Sequence, residues 1–150
     1  MEKHSQYMQL ALMEAKAALS KGEIPIGAVV IANGEMVGSG HNLRETTNDP
    51  TAHAEMIALR KASEKLGRWR LTGTDLYATI EPCCMCAGAI SLARVDSLIF
   101  GASDAEAGGC GSLFDIVGNE RLNHRPRVIS GVMESECREI LKEFFKNRRR

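Results

Sequence analysis

The chain has 150 residues, of which 44% are apolar, and this is the size and composition of one ordinary globular domain. No apolar run approaches the roughly 18 residues that a membrane span needs, and no signal peptide opens the chain, so we expect a soluble cytoplasmic protein without a membrane partner. A formal net charge of zero gives no overall sign of nucleic-acid binding, and an odd number of cysteines, five, argues against a disulfide framework.

The first third of the chain predicts a helix followed by a β-hairpin. Apolar residues at helical spacing predict a helix over residues 5–21, which Gly22 closes. Strands predicted over residues 26–31 and 35–40 flank the dipeptide Asn33-Gly34. Because both central residues of a tight hairpin turn must accept positive φ, Asn-Gly is a strong hairpin signal. The sheet is therefore expected to begin with an antiparallel pair.

A polar loop over residues 43–49 leads into a helix predicted over residues 51–66, which Gly67 ends. Asn42, at the end of the second strand, is placed either to form a turn or to touch a substrate. The buried side of this helix is expected to hold Met56, Ile57 and Leu59.

The middle of the chain alternates strands with helices. A strand over residues 76–80, a helix from Pro82 to about Ala93 and a strand over residues 95–101 imply right-handed crossovers between parallel neighbours. With the hairpin and a last strand over residues 128–132, we expect an α/β fold: a three-layer α/β/α sandwich around one mixed, five-stranded sheet. Helices that begin beside adjacent parallel strands would then meet at one sheet edge.

The last part of the chain contains a loop, a helix and a local basic surplus. A glycine-rich loop over residues 103–112 precedes a brief helix predicted over residues 113–117. The final helix, from Glu134, carries an apolar stripe that we interpret as core, with Phe145 at its edge. Residues 121–150 hold nine Lys or Arg against four Glu, which fits either a solvated tail or phosphate contact.

Two thiols lie at a predicted helix start in the segment E-P-C-C-M-C-A. Cys83 and Cys86 are three residues apart, so their side chains would share one side of the helix. Pro82 suits the first helical position, where the helix dipole favours ionised sulfur. A soft dication is the metal ion that such a pair of thiols is suited to bind.

His53 lies in a similar setting in the segment D-P-T-A-H-A-E. Asp49 is expected to cap the helix and Pro50 to open its first turn. One imidazole and two thiolates make three protein ligands for Zn²⁺, and a catalytic zinc site leaves the fourth position to water. Glu55, in the same first turn, would lie beside that water and could move its protons.

The motifs H-A-E and P-C-C-M-C match the H-x-E and P-C-x-x-C signature of the zinc-dependent nucleobase deaminases. From about residue 7 to residue 149 the chain further resembles the bacterial tRNA wobble adenosine deaminases. The segments H-N-L-R-E, L-N-H-R and F-F-x-x-x-R-R are the ones more specific to this tRNA-editing branch. The full set, in family order, is G-E-I-P-I-G-A-V-V, H-N-L-R-E, P-T-A-H-A-E-M, W-R-L, E-P-C-C-M-C-A-G-A-I, G-S-L, L-N-H-R, G-V and F-F-K-N-R-R.

The resemblance implies a cytidine deaminase-like fold and one zinc-dependent nucleobase deaminase domain over residues 1–150. It implies one Zn²⁺ per subunit, held by His53, Cys83 and Cys86, with Glu55 as the proton shuttle. The reaction implied is hydrolysis of the wobble adenosine of a tRNA anticodon stem-loop to inosine, with release of ammonia. The residues implied around the inserted nucleoside are Asn42, Ala54 through its backbone N–H, and Pro82 with Cys83 through nearby carbonyls.

The resemblance also implies a homodimer that holds the RNA across the subunit boundary. One segment departs from the family pattern: the usual D-x-K is Asp104-Ala105-Glu106 here. A carboxylate in place of a cation removes a phosphate contact and adds repulsion, which affects RNA binding and not the chemistry. The residues expected to contact RNA are Arg70, Asn123, His124, Phe144, Phe145 and Arg149.

Two other functions compete with tRNA editing. A free nucleobase or nucleoside deaminase, acting on guanine or cytosine, would share the zinc chemistry; zero net charge and Glu106 favour it, whereas L-N-H-R and the basic F-F end oppose it. The third is an RNA-binding or scaffold protein with structural zinc. Glu55 argues against this third function, because a closed structural site has no use for a carboxylate beside an open ligand position.

Overall fold

The computed structural model describes residues 2–148, which form five strands and four helices. Arg149, one of the predicted RNA contacts, lies outside these described residues. None of the helices in this range combines the length and apolar character needed to cross a membrane. In chain order the elements are α1 (Glu2–Ser20), β1 (Gly27–Ala32), β2 (Glu35–His41), α2 (Ala54–Leu66), β3 (Thr74–Ile80), α3 (Cys84–Ala93), β4 (Ser97–Ala102), β5 (Arg127–Ile129) and α4 (Glu134–Arg148).

The strands form one mixed sheet in the order β2-β1-β3-β4-β5. Strand β1 is antiparallel to both β2 and β3, whereas β3, β4 and β5 are parallel. The expected hairpin is confirmed, with Asn33 at φ 52° and Gly34 at φ 76°. The expectation that the strands before the two metal helices are neighbours is wrong, because β1 lies between β2 and β3. Both of those strands oppose β1, so they still run the same way and deliver their helices to one sheet edge.

Helices cover both faces of the sheet, as expected for three layers. Helices α2 and α3 enclose one apolar core with the sheet, and α1 and α4 enclose the other. Successive residues of β3 point to opposite faces, so Leu76 joins the first core and Tyr77 the second. The α/β/α sandwich with one mixed, five-stranded sheet is therefore confirmed.

Helix α2 lies unusually close to β2 because the facing residues are small. A Cβ atom added to Gly38 would lie 2.3 Å from the carbonyl oxygen of Ala58, and one added to Gly40 would lie 2.6 Å from that of Ala54. The buried side of α2 is consequently formed mainly by alanines, and the predicted core positions Met56 and Ile57 are only half-buried. This close approach fixes the start of α2 against the sheet edge.

The segment after β4 contains no helix between Leu113 and Val117, which corrects the sequence-based expectation. The backbone instead makes isolated bridges between Cys83 and Gly108 and between Cys110 and Asp115. Loop contacts outweigh helix formation here because the chain folds back onto the start of α3, where the N–H of Gly109 donates to the carbonyl of Pro82 at 2.8 Å.

Candidate metal centre and active site

His53 and Cys83 occupy the N-cap positions of α2 and α3. Both have extended backbones, with φ −83° and ψ 152° at His53 and φ −74° and ψ 178° at Cys83. Neither side chain makes the hydrogen bond by which an N-cap residue usually satisfies its helix. Two helix starts therefore present an imidazole and a thiol, uncommitted to capping, at the same sheet edge.

The helices begin later than the sequence analysis predicts. Asp49 does not cap α2: its Oδ1 accepts hydrogen bonds from the N–H and hydroxyl of Thr51, each at 2.8 Å, and so closes a separate turn. Pro50 lies in this turn and Pro82 lies one residue before the cap of α3. The two prolines restrict the chain just ahead of the helices, which leaves the ligand-bearing residues at the helix ends.

His53, Cys83 and Cys86 form a three-ligand cluster whose donor atoms lie within 4.8 Å of one another. His53 Nδ1 is 3.5 Å from the Sγ atom of each cysteine. Zinc bonds of about 2.0 Å to nitrogen and 2.3 Å to sulfur, at a tetrahedral angle, separate the two ligand atoms by about 3.5 Å. The cluster thus already has the ligand spacing of a tetrahedral metal site, and its donors suit a borderline-soft ion.

The surroundings of the cluster favour thiolate at Cys83 and thiol at Cys86, because the hydrogen bond to Cys83, followed by burial, raises the pKa of the Cys86 thiol. The hydrogen bond from Cys86, followed by the interaction with His53, holds the pKa of the Cys83 thiol at about 3, even though burial opposes ionisation. The hydrogen bond between the His53 ring and the Cys83 sulfur raises the pKa of His53 despite the desolvation of the ring. The positive ends of α2 and α3 add to this field, since each helix starts at the cluster.

Glu55 lies in the first turn of α2 and is only 4% exposed. Burial is the main cause that raises the pKa of Glu55 to about 7, and the nearby imidazole of His53 limits the rise. The Cys86 thiol, as a donor toward this carboxyl, also limits the rise of its pKa, which places the carboxyl against the cluster. A carboxyl with such a pKa can both accept and donate a proton near neutrality.

A cavity of about 450 Å³ opens over this cluster. Ile24, Ile26 and Ile80 supply apolar surface, and Asn42 and Arg44 supply polar groups. The remaining wall comes from the loop after β4 and from α4. The complete lining within the described residues is Ile24, Ile26, Asn42, Arg44, His53, Ala54, Glu55, Ile80, Glu81, Cys83, residues 103–107, Arg138, Leu141 and Phe145.

Asn42 forms the turn that is one of its two sequence interpretations, and it also lines the cavity. Its Oδ1 accepts the N–H of Arg44 at 3.1 Å, which is a turn-forming contact, and its amide donates to the carbonyl of Ile24 at 3.4 Å. The side chain nevertheless lines the cavity. Its turn contacts fix its orientation toward whatever the cavity binds.

Glu81 is a structural residue of the site that sequence analysis missed. Its carboxylate, 3% exposed, accepts hydrogen bonds from the backbone N–H groups of Asp104, Cys110 and Ser112, each at 3.0 Å, and from the Ser112 hydroxyl. Burial alone would raise its pKa, but these donors lower it overall. The only signal was a carboxylate directly before P-C, at the end of a strand.

Glu23 fixes a loop on the other side of the cavity, as Glu81 fixes the loop after β4. Its carboxylate, 2% exposed, accepts hydrogen bonds from the backbone N–H groups of Glu45 and Thr46. This fixes the loop that carries Arg44 into the cavity wall. A buried acid in a segment of otherwise apolar residues, G-E-I-P-I-G, was the available signal.

The structure brings together some of the predicted substrate contacts and not others. Phe145 and Ala54 line the cavity, whereas Phe144 is 8% exposed and packs its ring edge-on against Phe145. Pro82 is buried and does not line the cavity. Its carbonyl accepts the N–H of Gly109 at 2.8 Å and the thiol of Cys110 at 3.7 Å.

Arg70, Asn123 and His124 lie away from the cavity of the same chain. The guanidinium of Arg70 stacks over the Trp69 ring, 5.0 Å from its centroid. His124 Nε2 lies 2.6 Å from the carbonyl oxygen of Val95. The N–H of Leu71, the residue after Arg70, donates to the carbonyl of Ala93, so these residues lie around the far end of α3, opposite the end that carries the thiols.

The comparisons with known proteins agree on one family. A family model described as MafB19-like deaminase matches residues 2–149. The tRNA-specific adenosine deaminase of Bacillus subtilis (strain 168) is 50% identical over 144 residues, which is 96% of this chain and 89% of that protein. The chain belongs to the tRNA-specific adenosine deaminases.

Solved structures place this deaminase in the same group. A tRNA:A34 deaminase, studied for A-to-I editing at the wobble position of transfer RNA, superposes with a TM-score of 0.87 at 45% identity, over 90% of this chain and 98% of that one. The guanine deaminase of Bacillus subtilis is more distant, with a TM-score of 0.66 at 38% identity over 76% of this chain and 73% of that one. The fold is thus shared with a guanine deaminase.

Proposed function

We propose that this deaminase hydrolyses adenosine to inosine at the wobble position of a tRNA anticodon, with release of ammonia. The observation that carries the proposal is the three-ligand cluster of His53, Cys83 and Cys86 beside a buried carboxyl, at the base of a cavity of about 450 Å³. Three ligands leave one tetrahedral position open, which is typical of catalytic zinc and not of structural zinc. This argues against a purely structural metal.

The resident metal in this proposal is one Zn²⁺ per subunit. His53, Cys83 and Cys86 would hold it, since their spacing and donor types fit tetrahedral zinc. When bound, zinc supplies a Lewis acid that lowers the pKa of a coordinated water from 15.7 to about 7. The N-terminal ends of α2 and α3 support the two thiolates electrostatically.

Glu55 is the proton carrier in this mechanism. Its carboxylate takes a proton from the attacking water, donates it to the adenine ring as C6 is attacked, and passes the second water proton to the departing amine. Water and adenosine are consumed and inosine and ammonia are formed, so Glu55 ends in its starting state. Burial supports the role because it brings the pKa of Glu55 to about 7.

Three further residues orient the nucleoside in this proposal. Asn42, which lines the cavity, contacts it. The Ala54 N–H, at the start of α2, would orient the base and its leaving group together with backbone carbonyls near Pro82 and Cys83. Because the target lies in an anticodon loop that is partly unpaired, exposing the base costs only a few kcal/mol or less.

We also propose a homodimer, built on the outer side of α3. This helix carries no charged residue, and its Leu92 is 69% exposed. Leu113 and Phe114, in the loop that packs on the start of α3, are 52% and 55% exposed. In a two-fold dimer, α3 helices packed antiparallel would place the far end of one beside the thiol end of the other.

Such a dimer would give the remaining predicted RNA contacts a function. Arg70, Asn123 and His124 lie near the far end of α3, so in each subunit they would serve the cavity of the other subunit. Phe145 would act within its own chain, since it already lines the cavity. Mass determination in solution tests the dimer, and a monomer at micromolar concentration that still edits tRNA would refute it.

Free-base deamination is the alternative, and the similarity to guanine deaminase together with Glu106 at the cavity rim favours it. The two functions separate when the protein is incubated with tRNA carrying a wobble adenosine and, separately, with guanine, cytosine and adenosine. We expect inosine, detected by nucleoside mass, only from the tRNA. Ammonia released only from the small molecules would refute tRNA editing.

We further propose that residues 1–150 act as one deaminase domain in the cytoplasm.

A further inference from the structure

The last turn of α4 is joined to the turn that follows α1. The guanidinium of Arg148 donates from Nη2 to the carbonyl oxygen of Gly22 at 2.8 Å, across 126 positions of the chain. Its Cζ also lies 4.7 Å from the centroid of the Phe144 ring, one turn earlier on the same helix. Arg148 is therefore held on two sides although it is exposed, and it links the end of α4 to the first turn of the protein.

Few buried side chains hold the end of α4 in place. Within Glu134–Arg148 the buried residues are Cys137 and Phe144. The Phe144 ring packs edge-on against Phe145, with ring centroids 5.3 Å apart, and Phe145 lines the cavity over the metal cluster. The position of this cavity wall consequently depends on Phe144 and on the contact of Arg148 with the turn after α1.

The other end of this contact lies beside the opposite cavity wall. Gly22 ends α1 with a left-handed backbone, at φ 76°, and the next residue is Glu23. The Glu23 carboxylate accepts the N–H groups of Glu45 and Thr46, which fixes the loop ahead of α2. Ile24, one residue further, lines the cavity itself. A movement of the Gly22 carbonyl would therefore be passed to the residues that form this second wall.

We propose that Arg148 is a positioning residue for deamination: by holding the Gly22 turn it fixes Glu23, and so sets the spacing of the two cavity walls between which the adenine base lies. This inference rests on the proposed function, because it takes adenine as the substrate. Arg148 belongs neither to the metal cluster nor to the described cavity lining, so its effect on the reaction is indirect. Such effects can be large, since a misplacement of about 1 Å can cost about 100-fold in rate.

The test separates the loss of this contact from the loss of a positive charge. Arg148→Met keeps a long side chain but has no donor for Gly22 and no charge over Phe144. Lys146→Met is the matched control, because Lys146 is also exposed, lies in the same last turn and forms no ion pair within residues 2–148. Any effect of charge on RNA binding should appear in both variants. Arg148→Lys is the conservative variant, since it restores a cationic donor.

Turnover is measured on the zinc-loaded protein with a tRNA anticodon stem-loop, and thermal unfolding checks that each variant is folded. We expect Arg148→Met to lower kcat at saturating RNA about tenfold, because the base is held less well against the reacting groups. Lys146→Met should change KM and keep kcat, and Arg148→Lys should recover most of the lost kcat. An unchanged kcat in Arg148→Met, or an equal loss of kcat in Lys146→Met, would overturn the positioning role.

Amide hydrogen exchange tests whether the contact acts at a distance. The N–H groups of Glu45 and Thr46 should exchange faster in Arg148→Met and not in Lys146→Met, because only the first variant releases the turn that carries Glu23. A residue that merely stabilised its own helix end would change exchange in α4 alone. Exchange that changes in α4 and nowhere else would therefore overturn the proposal.

A double variant tests whether the effect passes through Glu23. In a Glu23→Gln background, Arg148→Met should lower kcat by much less than its effect in the wild type, because residues that act through one linkage are not additive. Losses in kcat that multiply would mean that the two residues act independently, and would overturn the proposed route.

Failure of the proposed function gives a different result. A wild type that releases no inosine from the stem-loop refutes tRNA editing, and the role of Arg148 in deamination falls with it. The exchange comparison needs no turnover, so it still decides whether Arg148 holds the Gly22 turn and the loop beyond it.

Discussion

The carboxylate of Glu81 accepts the backbone N–H of Cys110 at 3.0 Å, which joins the residue just before the metal helix to the loop on the far side of the cavity. The same carboxylate holds Asp104 and Ser112. Gly108 must be glycine for this arrangement, since an added Cβ would lie 2.4 Å from the Glu81 carboxyl carbon. The cavity wall is thereby fixed to the same strand end that positions the thiols.

Glu81→Gln should loosen this wall without removing the metal. An amide presents one acceptor oxygen and places an NH₂ group against backbone donors, which leaves buried groups unsatisfied at a cost of about 1–3 kcal/mol. We expect a lower Tm and a raised KM, with zinc content unchanged. Thermal unfolding, metal analysis and steady-state kinetics check this.

Ser112→Ala is the control for Glu81, because it removes only the hydroxyl contact and should cost about 0.5–1.5 kcal/mol. If Glu81→Gln is no more damaging than Ser112→Ala, the carboxylate does not organise the loop.

Glu55→Gln should abolish turnover and keep the protein folded and loaded. The amide has nearly the same shape but carries no proton to transfer, so we expect a loss of about 10²–10⁴-fold in kcat. Since Glu55 is buried, removing its charge should not lower Tm. Single-turnover assays with metal analysis check both parts, and a variant of normal rate would remove Glu55 from the mechanism.

Cys83→Ala should lose zinc and the stability that zinc confers. At a zinc concentration of 1,000 times Kd, binding contributes about 4 kcal/mol, which the variant forfeits. Cys84→Ala is a close control, because Cys84 is the neighbouring half-buried thiol outside the ligand cluster. A chelator should lower the Tm of the wild type and of Cys84→Ala but not that of Cys83→Ala; a chelator effect on all three would contradict the ligand assignment.

Glu23 should make stability depend on pH. Its burial raises the pKa, but hydrogen bonds from Thr46 and from the Glu45 N–H outweigh this, so the folded pKa lies below the unfolded value of about 4.3. A depressed carboxyl stabilises the folded state above the unfolded pKa, and that stability is lost as pH falls through the folded pKa.

Glu23→Gln should therefore be about 2 kcal/mol less stable than the wild type at neutral pH, and the gap should close in acid. Urea unfolding at several pH values measures the gap. A gap that stays constant with pH would mean that the Glu23 charge contributes nothing.

Local sequence signals predicted much of this protein. Asn33-Gly34 predicted the hairpin because an Asn-Gly turn depends only on the φ angles of its own two residues. The cluster of His53, Cys83 and Cys86, which could hold a metal ion, followed from motif spacing. Sheet order did not follow, because the insertion of β1 between β2 and β3 depends on long-range pairing. On α2, Leu59 is buried as predicted, but Met56 and Ile57 were misassigned to the buried side. Gly38 brings the helix within backbone contact of the sheet, and this close tertiary contact favours alanine over larger apolar residues.

The helices also begin later than predicted. Asp49 is a good capping residue, but it closes a separate turn and the cap of α2 is His53. Pro82 is a good first-turn residue, but it lies one residue before the cap of α3, Cys83. Glu81 and Glu23 escaped notice because a single acid in an apolar segment carries no pattern. Their importance arises only from the backbone N–H groups that the fold brings to them.

His53 and Cys83 begin their helices without satisfying the free N–H groups of the first turns. A metal ion bound by both residues would link those two turns and fix their positions relative to each other. Loss of the ion should then appear as faster amide hydrogen exchange over the opening turns of α2 and α3, while the middles of both helices keep their protection. The metal would thus stabilise the backbone at both helix starts as well as take part in the reaction.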